Sequence, residues 1–302
     1  MKIFITGGAG FIGSAVVKYL LEQGHSVRVL DLRKPDIEHD NLEFVNKSIM
    51  EDISKDIEGC NAVYHFAAIL GVDNSDKKPL ETMKINLEGS VNVFKSAIKA
   101  GVKQILYSSS SEVYGEPREL PIREDSTKGP VSTYGVSKLA AEIYAKAYTQ
   151  EFDVDTKIVR FFNVYGPIQP PNFVVPIFLN NALKNKPIRI FGEGSQTRCF
   201  TYVEDIVDGV GKVVEKGKAG EAYNIGNNKP TTILELANII KEVTGSKSEI
   251  IKAGFGKETR LKEREIEYRI PDISKMKALG WEPRTMVKEG IKKILEFKRQ
   301  NS

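Results

Sequence analysis

Two side chains that could perform acid–base chemistry stand four residues apart in the segment Tyr134-Gly-Val-Ser-Lys138. Because the segment opens a predicted helix, this spacing places both side chains on one helical face. A lysine ammonium beside a phenol stabilises the phenolate and lowers the pKa of the phenol from about 10 toward that of a general base. The serines from Ser108 to Ser111 end the preceding predicted strand and supply hydroxyls that could hold a substrate oxygen. The pattern predicts proton removal from an alcohol, and a surface Tyr/Lys helical pair is the alternative.

A glycine turn, Gly7-Gly8-Ala9-Gly10-Phe11-Ile12-Gly13, follows the first predicted strand. Glycines let a backbone approach a pyrophosphate closely at the start of a helix. This spacing differs by one residue from G-x-G-x-x-G, and a structural tight turn is the alternative. Asp31 ends the next predicted strand, where an acid binds adenosine ribose hydroxyls and repels a 2′-phosphate, whereas the nearby Arg33 would favour NADP. Together with the Tyr/Lys pair, these features predict an NAD-dependent enzyme that oxidises a hydroxyl group.

Composition excludes several other classes of protein. The 302 residues include 44 Lys and Arg against 40 Asp and Glu, for a net charge of +4. Because the two signs are interspersed, we expect no nucleic-acid partner. Cys60 and Cys199 are far apart and lack metal-ligand spacing, which predicts no disulfide, no metal site and a reduced, cytoplasmic location. No signal-peptide pattern and no apolar run of spanning length is visible, so we expect no membrane association.

The elements that must position the chemical groups alternate between strand and helix through the first half of the chain. Periodicity predicts strands at 3–6, 26–31, 62–66, 104–108 and 156–161, and helices at 11–23, 79–99 and 133–151. This alternation predicts an α/β fold with a Rossmann-type doubly wound parallel sheet. Prolines after Gly166 predict a departure into a smaller, mixed α/β C-terminal substrate lobe. We expect an NAD-binding domain at 1–166, rejoined at about 200–228, and a substrate lobe at 167–199 and 229–302.

Six ordered segments carry a resemblance to one enzyme family. They are Thr6-Gly-Gly-Ala-Gly-Phe-Ile-Gly13, His65-Phe-Ala-Ala68, Ser108-Ser-Ser-Ser-Glu-Val-Tyr-Gly115, Tyr134-Gly-Val-Ser-Lys138, Arg160-Phe-Phe-Asn-Val-Tyr-Gly-Pro167 and Pro271-Asp-Ile-Ser-Lys275. Nearly end to end, the chain resembles the extended short-chain dehydrogenases/reductases, in the NAD-dependent nucleotide-sugar epimerase/dehydratase branch that includes UDP-glucose 4-epimerase. The resemblance implies NAD as cofactor, a nucleotide-diphosphate sugar as substrate, in particular a UDP-sugar, and a homodimer formed by helices 79–99 and 133–151.

The resemblance also implies three sets of site residues. The catalytic set is Tyr134, Lys138, Ser110 and Glu112. The cofactor set comprises adenosine-side and nicotinamide-side residues: Gly7, Gly10, Phe11, Ile12, Gly13, Asp31, Leu32, Asp52, Ile53, Phe66, Ala67, Ala68, Asn86, Ser108, Tyr134, Lys138, Phe161 and the adjoining Phe162. The substrate set is Ser110, Ser111, Asn163, Arg198, Arg264 and Arg269, of which Asn163, Arg198 and one of the last two arginines would bind the diphosphate.

The mechanism that the resemblance implies begins with Tyr134, as phenolate, taking the proton of the sugar 4-hydroxyl while the C4 hydride passes to NAD. The resulting 4-keto sugar can be reduced on its other face, lose a C5 carboxylate, or lose water across C5 and C6. Because Ser111 stands where 4,6-dehydratases carry an Asp acid, dehydration is the least favoured outcome. We predict a UDP-hexose 4-epimerase, with a UDP-glucuronate decarboxylase as the first alternative. A plain alcohol dehydrogenase and an NAD-binding regulatory protein without turnover are further alternatives.

Overall fold

The computed structural model describes residues 1–71, 75, 77–254 and 266–301. Strands occur in a central sheet and in three small sheets. In chain order they are β1 Lys2–Thr6, β2 Ser26–Asp31, β3 Leu42–Asn46, β4 Ala62–His65, β5 Gln104–Ser110, β6 Asp155–Phe161, β7 Val164–Tyr165, β8 Ile188–Phe191, β9 Thr197–Arg198, β10 Thr201–Tyr202, β11 Ala222–Ile225, β12 Thr231–Thr232, β13 Ile250–Ala253 and β14 Tyr268–Arg269.

The central sheet has seven strands in the order β11-β6-β5-β4-β1-β2-β3, and every neighbouring pair is parallel. The predicted Rossmann-type α/β fold is therefore confirmed. β3 was not predicted, because it is a partly exposed edge strand whose apolar residues alternate only over Leu42 and Phe44. The direction of winding reverses between β1 and β4, so the loops after these two strands flank the crevice where ligands bind in such sheets.

Helices cover both faces of the sheet. In chain order they are α1 Phe11–Glu22, α2 Ser54–Ile57, α3 Pro79–Met83, α4 Gly89–Lys99, α5 Thr133–Phe152, α6 Val174–Leu183, α7 Val203–Lys216, α8 Ile233–Thr244, α9 Ser274–Ala278 and α10 Val287–Gln300. The helix predicted at 79–99 is interrupted by a π-helical turn, Lys84–Glu88, between α3 and α4. A π turn is often found at functional sites, and this one carries Asn86.

Three large clusters of buried apolar side chains hold these elements together. One packs α1 and α7 onto the sheet and includes Trp281, and a second packs α4 and α5 onto the opposite face. A third lies outside the sheet and joins α6, β8, α8 and α10. The division into 1–166 with 200–228 and 167–199 with 229–302 stays a prediction.

The described residues were also searched for membrane helices and metal sites. Within residues 1–71, 75, 77–254 and 266–301, no helix combines the length and the apolar character needed to cross a membrane. The same residues contain no group of three or more His, Cys, Asp or Glu side chains placed to hold a metal ion. Both cysteines are free and buried.

Candidate active site

The glycine turn between β1 and α1 is wound against the segment that follows β4. Gly7 has a φ of +74°, and a Cβ built on it would lie 2.5 Å from the Ala67 backbone nitrogen. A Cβ on Gly13 would lie 2.1 Å from the Gly7 carbonyl oxygen. The Gly7 N–H donates to the Leu30 carbonyl at 2.9 Å, which ties the turn to the end of β2. Side chains are thus excluded where the backbone lines the crevice.

The start of α1 is suited to binding an anion. Gly10 is the N-cap residue, it forms no side-chain capping hydrogen bond, and the first turn contains no acidic residue. The first N–H groups of a helix have no partner within the helix, and the helix dipole adds partial positive charge there. This cradle fits a pyrophosphate, as the positions of Gly10, Phe11, Ile12 and Gly13 predict.

Asp31 lies at the end of β2 beside the same turn. Its Oδ2 accepts the Ala9 N–H at 3.0 Å, and its Oδ1 accepts the Arg33 N–H at 3.2 Å. The Arg33 guanidinium donates to the Ala9 carbonyl at 3.3 Å. The Leu32 side chain is exposed. The carboxylate is therefore fixed next to the glycine turn, where a ribose diol would meet it.

The two residues expected at the adenine occupy different environments. Asp52 is exposed, and its Oδ1 accepts the Ser54 hydroxyl at 2.6 Å and the Ser54 N–H at 3.0 Å. These hydrogen bonds, the hydroxyl first, lower the pKa of the Asp52 carboxyl. Ile53 is fully buried in the core beside Phe4 and Ile57, so its side chain belongs to the packing of the sheet.

The segment after β4 forms the opposite wall of the crevice. The Phe66 ring stacks against Phe161 with centroids 6.4 Å apart, while Ala67 and Ala68 are half-buried. Asn86 fixes this wall, because its Oδ1 accepts the Ile69 N–H at 2.7 Å and its Nδ2 donates to the Ile69 carbonyl at 3.0 Å. Asn86 thus ties the π turn to this wall, and its role toward the cofactor stays a prediction.

The N-terminus of α5 packs tightly on the short 3₁₀ turn Ser111–Val113. A Cβ on Gly135 would lie 2.6 Å from the Glu112 carbonyl oxygen. Ser132 caps the helix by accepting the Gly135 N–H at 3.1 Å. This packing brings Tyr134 next to Ser110, whose hydroxyl is close enough to act on the phenol. The Ser110 hydroxyl also accepts the Glu112 N–H at 3.2 Å, and Ser111 is buried beneath the turn.

Lys138 lies behind Tyr134 and is buried. Its Nζ donates to the Ser108 carbonyl at 2.8 Å and lies 6.0 Å from the centroid of the Tyr134 ring. Burial lowers the pKa of Lys138 to about 7, and the charge of Glu142 opposes this effect. Burial also raises the pKa of the Tyr134 phenol above its usual range, and the Ser110 hydroxyl opposes the rise. The phenol pKa is thus raised where the Tyr/Lys spacing predicts a lowered one, because burial of the phenol dominates and the Lys138 ammonium is turned toward Ser108.

Two of the three arginines expected at the substrate lie side by side. β9 and β14 are parallel, with Arg198 opposite Arg269. The Arg198 Nη1 donates to the Thr197 carbonyl at 2.8 Å. The Arg269 Nη1 instead contacts the Glu112 carboxylate at 2.5 Å in a nearly buried ion pair. Arg264 lies outside the described residues.

Asn163 is half-buried and adopts a left-handed backbone with a φ of +39°. Its side-chain Nδ2 is buried and finds no hydrogen-bond partner within the part of the chain that the structure describes. A buried amide donor of this kind suits an acceptor-rich ligand such as a diphosphate. Phe162 is fully buried against Tyr114, whereas Phe161 stacks on Phe66 at the crevice.

A buried polar network beneath the site was not predicted. Arg160 binds Glu142 through both carboxylate oxygens, and its Nη1 donates to the Tyr114 hydroxyl at 2.7 Å. The Tyr114 hydroxyl donates to the Asn224 Oδ1 at 2.6 Å. The sequence contains one signal for this network, because Glu142 lies four positions after Lys138, just as Lys138 lies four positions after Tyr134.

Comparisons with known proteins agree with this geometry. The family model described as the NAD dependent epimerase/dehydratase family matches residues 3–226. The chain belongs to this family. It is an NAD-dependent enzyme of the nucleotide-sugar epimerase/dehydratase type, and the predicted family, enzyme class and NAD cofactor are confirmed. The glycine cradle, the uncapped start of α1 and Asp31 fit NAD.

Similar proteins match this chain over nearly its whole length. A protein of Methanocaldococcus jannaschii named as a putative UDP-glucose 4-epimerase is 37% identical over 314 residues, covering 99% of each chain. UDP-glucuronic acid decarboxylase 1 of Danio rerio is 34% identical over 98% of this chain and 72% of its own. The crystal structure of UDP-glucose 4-epimerase of Thermotoga maritima with UDP-glucose superposes with a TM-score of 0.92 at 34% identity, covering 100% of this chain and 99% of that one.

Proposed function

We propose that the protein is a UDP-hexose 4-epimerase. The observation that carries the proposal is the position of Tyr134, a buried phenol that lies beside Ser110 and is backed by Lys138 at the edge of the glycine-lined crevice. The full-length similarity to proteins named as UDP-glucose 4-epimerases supports a hexose as the sugar.

The residues of the chain have separate tasks in this reaction. The glycine turn and Asp31 would hold NAD, which would supply reversible hydride transfer to this site. The Ser110 hydroxyl holds the sugar 4-oxygen, and Tyr134 accepts the proton of that hydroxyl. Lys138 as ammonium stabilises the Tyr134 phenolate before this transfer, and the phenolate becomes a neutral phenol when it takes the proton. The Asn163 amide and Arg198 bind the diphosphate, which positions the sugar for this proton transfer.

The test is incubation of the protein with a panel of UDP-glucose, UDP-N-acetylglucosamine and UDP-glucuronate, followed by NMR identification of products. We expect interconversion of the 4-epimers without net release of NADH. The Tyr134→Phe variant should lose about 10²–10⁴-fold in kcat. Tyr144→Phe is the matched control, because it removes a phenol hydroxyl from the exposed side of the same helix. Full activity of the Tyr134 variant would contradict its role as base, and no turnover of any sugar by the unaltered protein would favour a regulatory NAD-binding protein.

A second candidate function, UDP-glucuronate decarboxylase, is favoured by the Arg269–Glu112 ion pair. The pair stands beside Tyr134, since the charge of Glu112 acts on the phenol. A guanidinium at the sugar end of the site is a geometric match for a C5 carboxylate. Release of carbon dioxide from UDP-glucuronate, lost in Arg269→Met, would establish this function. Epimerisation of UDP-glucose with no carbon dioxide release would exclude it.

We propose further that the protein forms a homodimer in the cytoplasm through the outer faces of α4 and α5. Ile143 and Tyr144 of α5 are exposed, and Leu87 and Val91 line a groove with Tyr144. Light scattering at micromolar concentration should give twice the chain mass, and Ile143→Glu should give the mass of one chain. A monomeric unaltered protein would contradict the dimer. The free thiols of Cys60 and Cys199 support the cytoplasmic location. Cell fractionation tests it.

A further inference from the structure

A buried carboxylate stands one helical turn beyond Lys138 on α5. Glu142 is 2% exposed. Arg160 of β6 donates to its carboxylate twice, from Nε to Oε1 at 2.8 Å and from Nη2 to Oε2 at 2.6 Å. The Ser109 hydroxyl donates to the Glu142 Oε1 at 2.5 Å. With a two-point guanidinium contact and a third donor, this carboxylate is held in one position.

Glu142 and Lys138 are bound to consecutive residues of the same strand. The Ser108 carbonyl accepts the Lys138 ammonium, and the Ser109 hydroxyl binds Glu142. Across residues 1–71, 75, 77–254 and 266–301, no carboxylate forms a direct ion pair with Lys138. Glu142 is nevertheless the carboxylate whose charge acts on Lys138. Because both side chains are buried and lie one helical turn apart on α5, screening of this charge by solvent is weak.

The other groups that face Lys138 do not supply a negative charge at neutral pH. Tyr134 lies on the same helix, and the ring centroid of Tyr107 on β5 is 5.1 Å from the Lys138 Nζ. Burial raises the pKa of both phenols. His65 on β4 is neutral because burial lowers its pKa to about 3. The charged side chains on α3 and the π turn are exposed and screened by solvent, namely Glu81, Lys84 and Glu88.

We propose that Glu142 is a positioning residue of the reaction, whose anchored charge favours the ammonium form of Lys138, the form that stabilises the Tyr134 phenolate. The inference rests on the proposed function in one respect, since it assumes that Tyr134 is the base. Burial by itself favours the uncharged amine of Lys138, and an amine cannot stabilise a phenolate. Arg160 acts one step further out, because it holds the Glu142 carboxylate and partly offsets its charge.

Two variants break the Glu142–Arg160 ion pair, each by removing one partner. Together they distinguish an effect of charge on Lys138 from a structural effect of losing the pair. Glu142→Gln removes the negative charge, and we expect the pKa of Lys138 to fall by about one unit or more. Arg160→Gln removes the opposing positive charge and leaves Glu142, so the pKa of Lys138 should rise. A purely structural role of the pair would move both variants in the same direction or leave the pKa of Lys138 unchanged.

The pKa of Lys138 is measured by NMR titration of lysine-labelled holoprotein, with the signal assigned by its loss in Lys138→Arg. Circular dichroism verifies the fold of each variant. If Glu142→Gln does not fold, the double variant Glu142→Gln/Arg160→Met removes both buried charges together and should show a fall in the pKa of Lys138 that is smaller, because the loss of Arg160 offsets part of it. Shifts of the same sign in Glu142→Gln and Arg160→Gln, or no shift in either, would overturn the proposal.

The titration requires no sugar substrate, so it stands even if no UDP-sugar is turned over. Where a substrate is found, the alkaline limb of the kcat profile should move to lower pH in Glu142→Gln and to higher pH in Arg160→Gln. Glu142→Asp, which restores the charge, should recover the unaltered profile in part. If Tyr134→Phe keeps full activity while the pKa of Lys138 shifts as expected, the assigned base is wrong and the charge coupling is right.

Discussion

Replacing Gly7 by alanine tests how closely the backbone of the glycine turn must approach the wall of the crevice. The residue has a φ of +74°, and the new Cβ would lie 2.5 Å from the Ala67 nitrogen, 2.7 Å from the Ala67 Cα and 2.8 Å from the Phe66 carbonyl carbon. Because all three are backbone atoms, no side-chain rotation relieves the contact. The whole segment after β4 has to move.

The cost can be divided into two parts. A positive φ costs an alanine about 1–2 kcal/mol, and forcing extra volume against packed atoms costs about 1–3 kcal/mol more. Gly24→Ala is the matched control, because Gly24 has a φ of +77° but nothing within 4 Å of the new Cβ. We therefore expect Gly7→Ala to be less stable than Gly24→Ala by about 1–3 kcal/mol, which corresponds to roughly 2–4 °C in Tm for each kcal/mol.

Thermal unfolding and NAD binding together provide the measurement. Calorimetric titration should show the affinity for NAD reduced by about tenfold or more in Gly7→Ala, since Phe66 and Ala67 line the predicted cofactor site. Gly24→Ala should bind NAD as the unaltered protein does. Equal Tm values for the two variants, together with unchanged NAD affinity in Gly7→Ala, would refute the close-approach explanation.

Three further predictions follow from buried or fixed polar groups. Burial lowers the pKa of His65 to about 3, so the unfolded chain binds one more proton than the folded chain between about pH 6.5 and 3. As the pH is lowered through that window, the free energy of unfolding should fall by about 1.4 kcal/mol per pH unit. Urea unfolding of His65→Gln should show a shallower decline with falling pH. Tyr114→Phe leaves Arg160 and Asn224 each without one partner and should cost about 1–3 kcal/mol of unfolding free energy, an effect absent if solvent replaces the hydroxyl. Asp31→Asn should weaken NAD binding and reduce the preference over NADP, and an unchanged ratio of the two affinities would contradict the ribose assignment.

Features with a local cause were predictable from the sequence. Apolar runs in the sequence predict the buried strands, and the glycine turn directly follows the first of these strands. The positions of Gly7 and Gly13 at the crevice therefore follow from their spacing alone. The π turn at Lys84–Glu88 has no such signal, because apolar spacing remains helical through it. The edge strand β3 was missed for a related reason, since half-exposed strands have weak patterns.

Burial explains why the acid–base properties of the site could not be taken from spacing. The four-residue spacing of Tyr134 and Lys138 places both on one helical face, but the sequence does not say how much solvent contact each side chain loses. In the structure, burial raises the pKa of the phenol and lowers the pKa of the amine to about 7, and the charge of Glu142 opposes the second shift. Only the packing of β6 against α5 reveals that Arg160 and Glu142 lie beneath the amine.

The Arg269–Glu112 ion pair also could not be predicted from the sequence, and its position bears on the reaction. The two residues are 157 positions apart in sequence, and Arg269 as a diphosphate ligand stays a prediction. Its position is set by the pairing of β14 with β9 and by the bridge between Ile122 and Pro271, none of which has a local sequence signal. Because the guanidinium meets the carboxylate beside Tyr134, we expect the fate of the sugar after proton removal to depend on this ion pair. A substrate carboxylate would compete with Glu112 for Arg269, whereas a hexose would leave the ion pair closed.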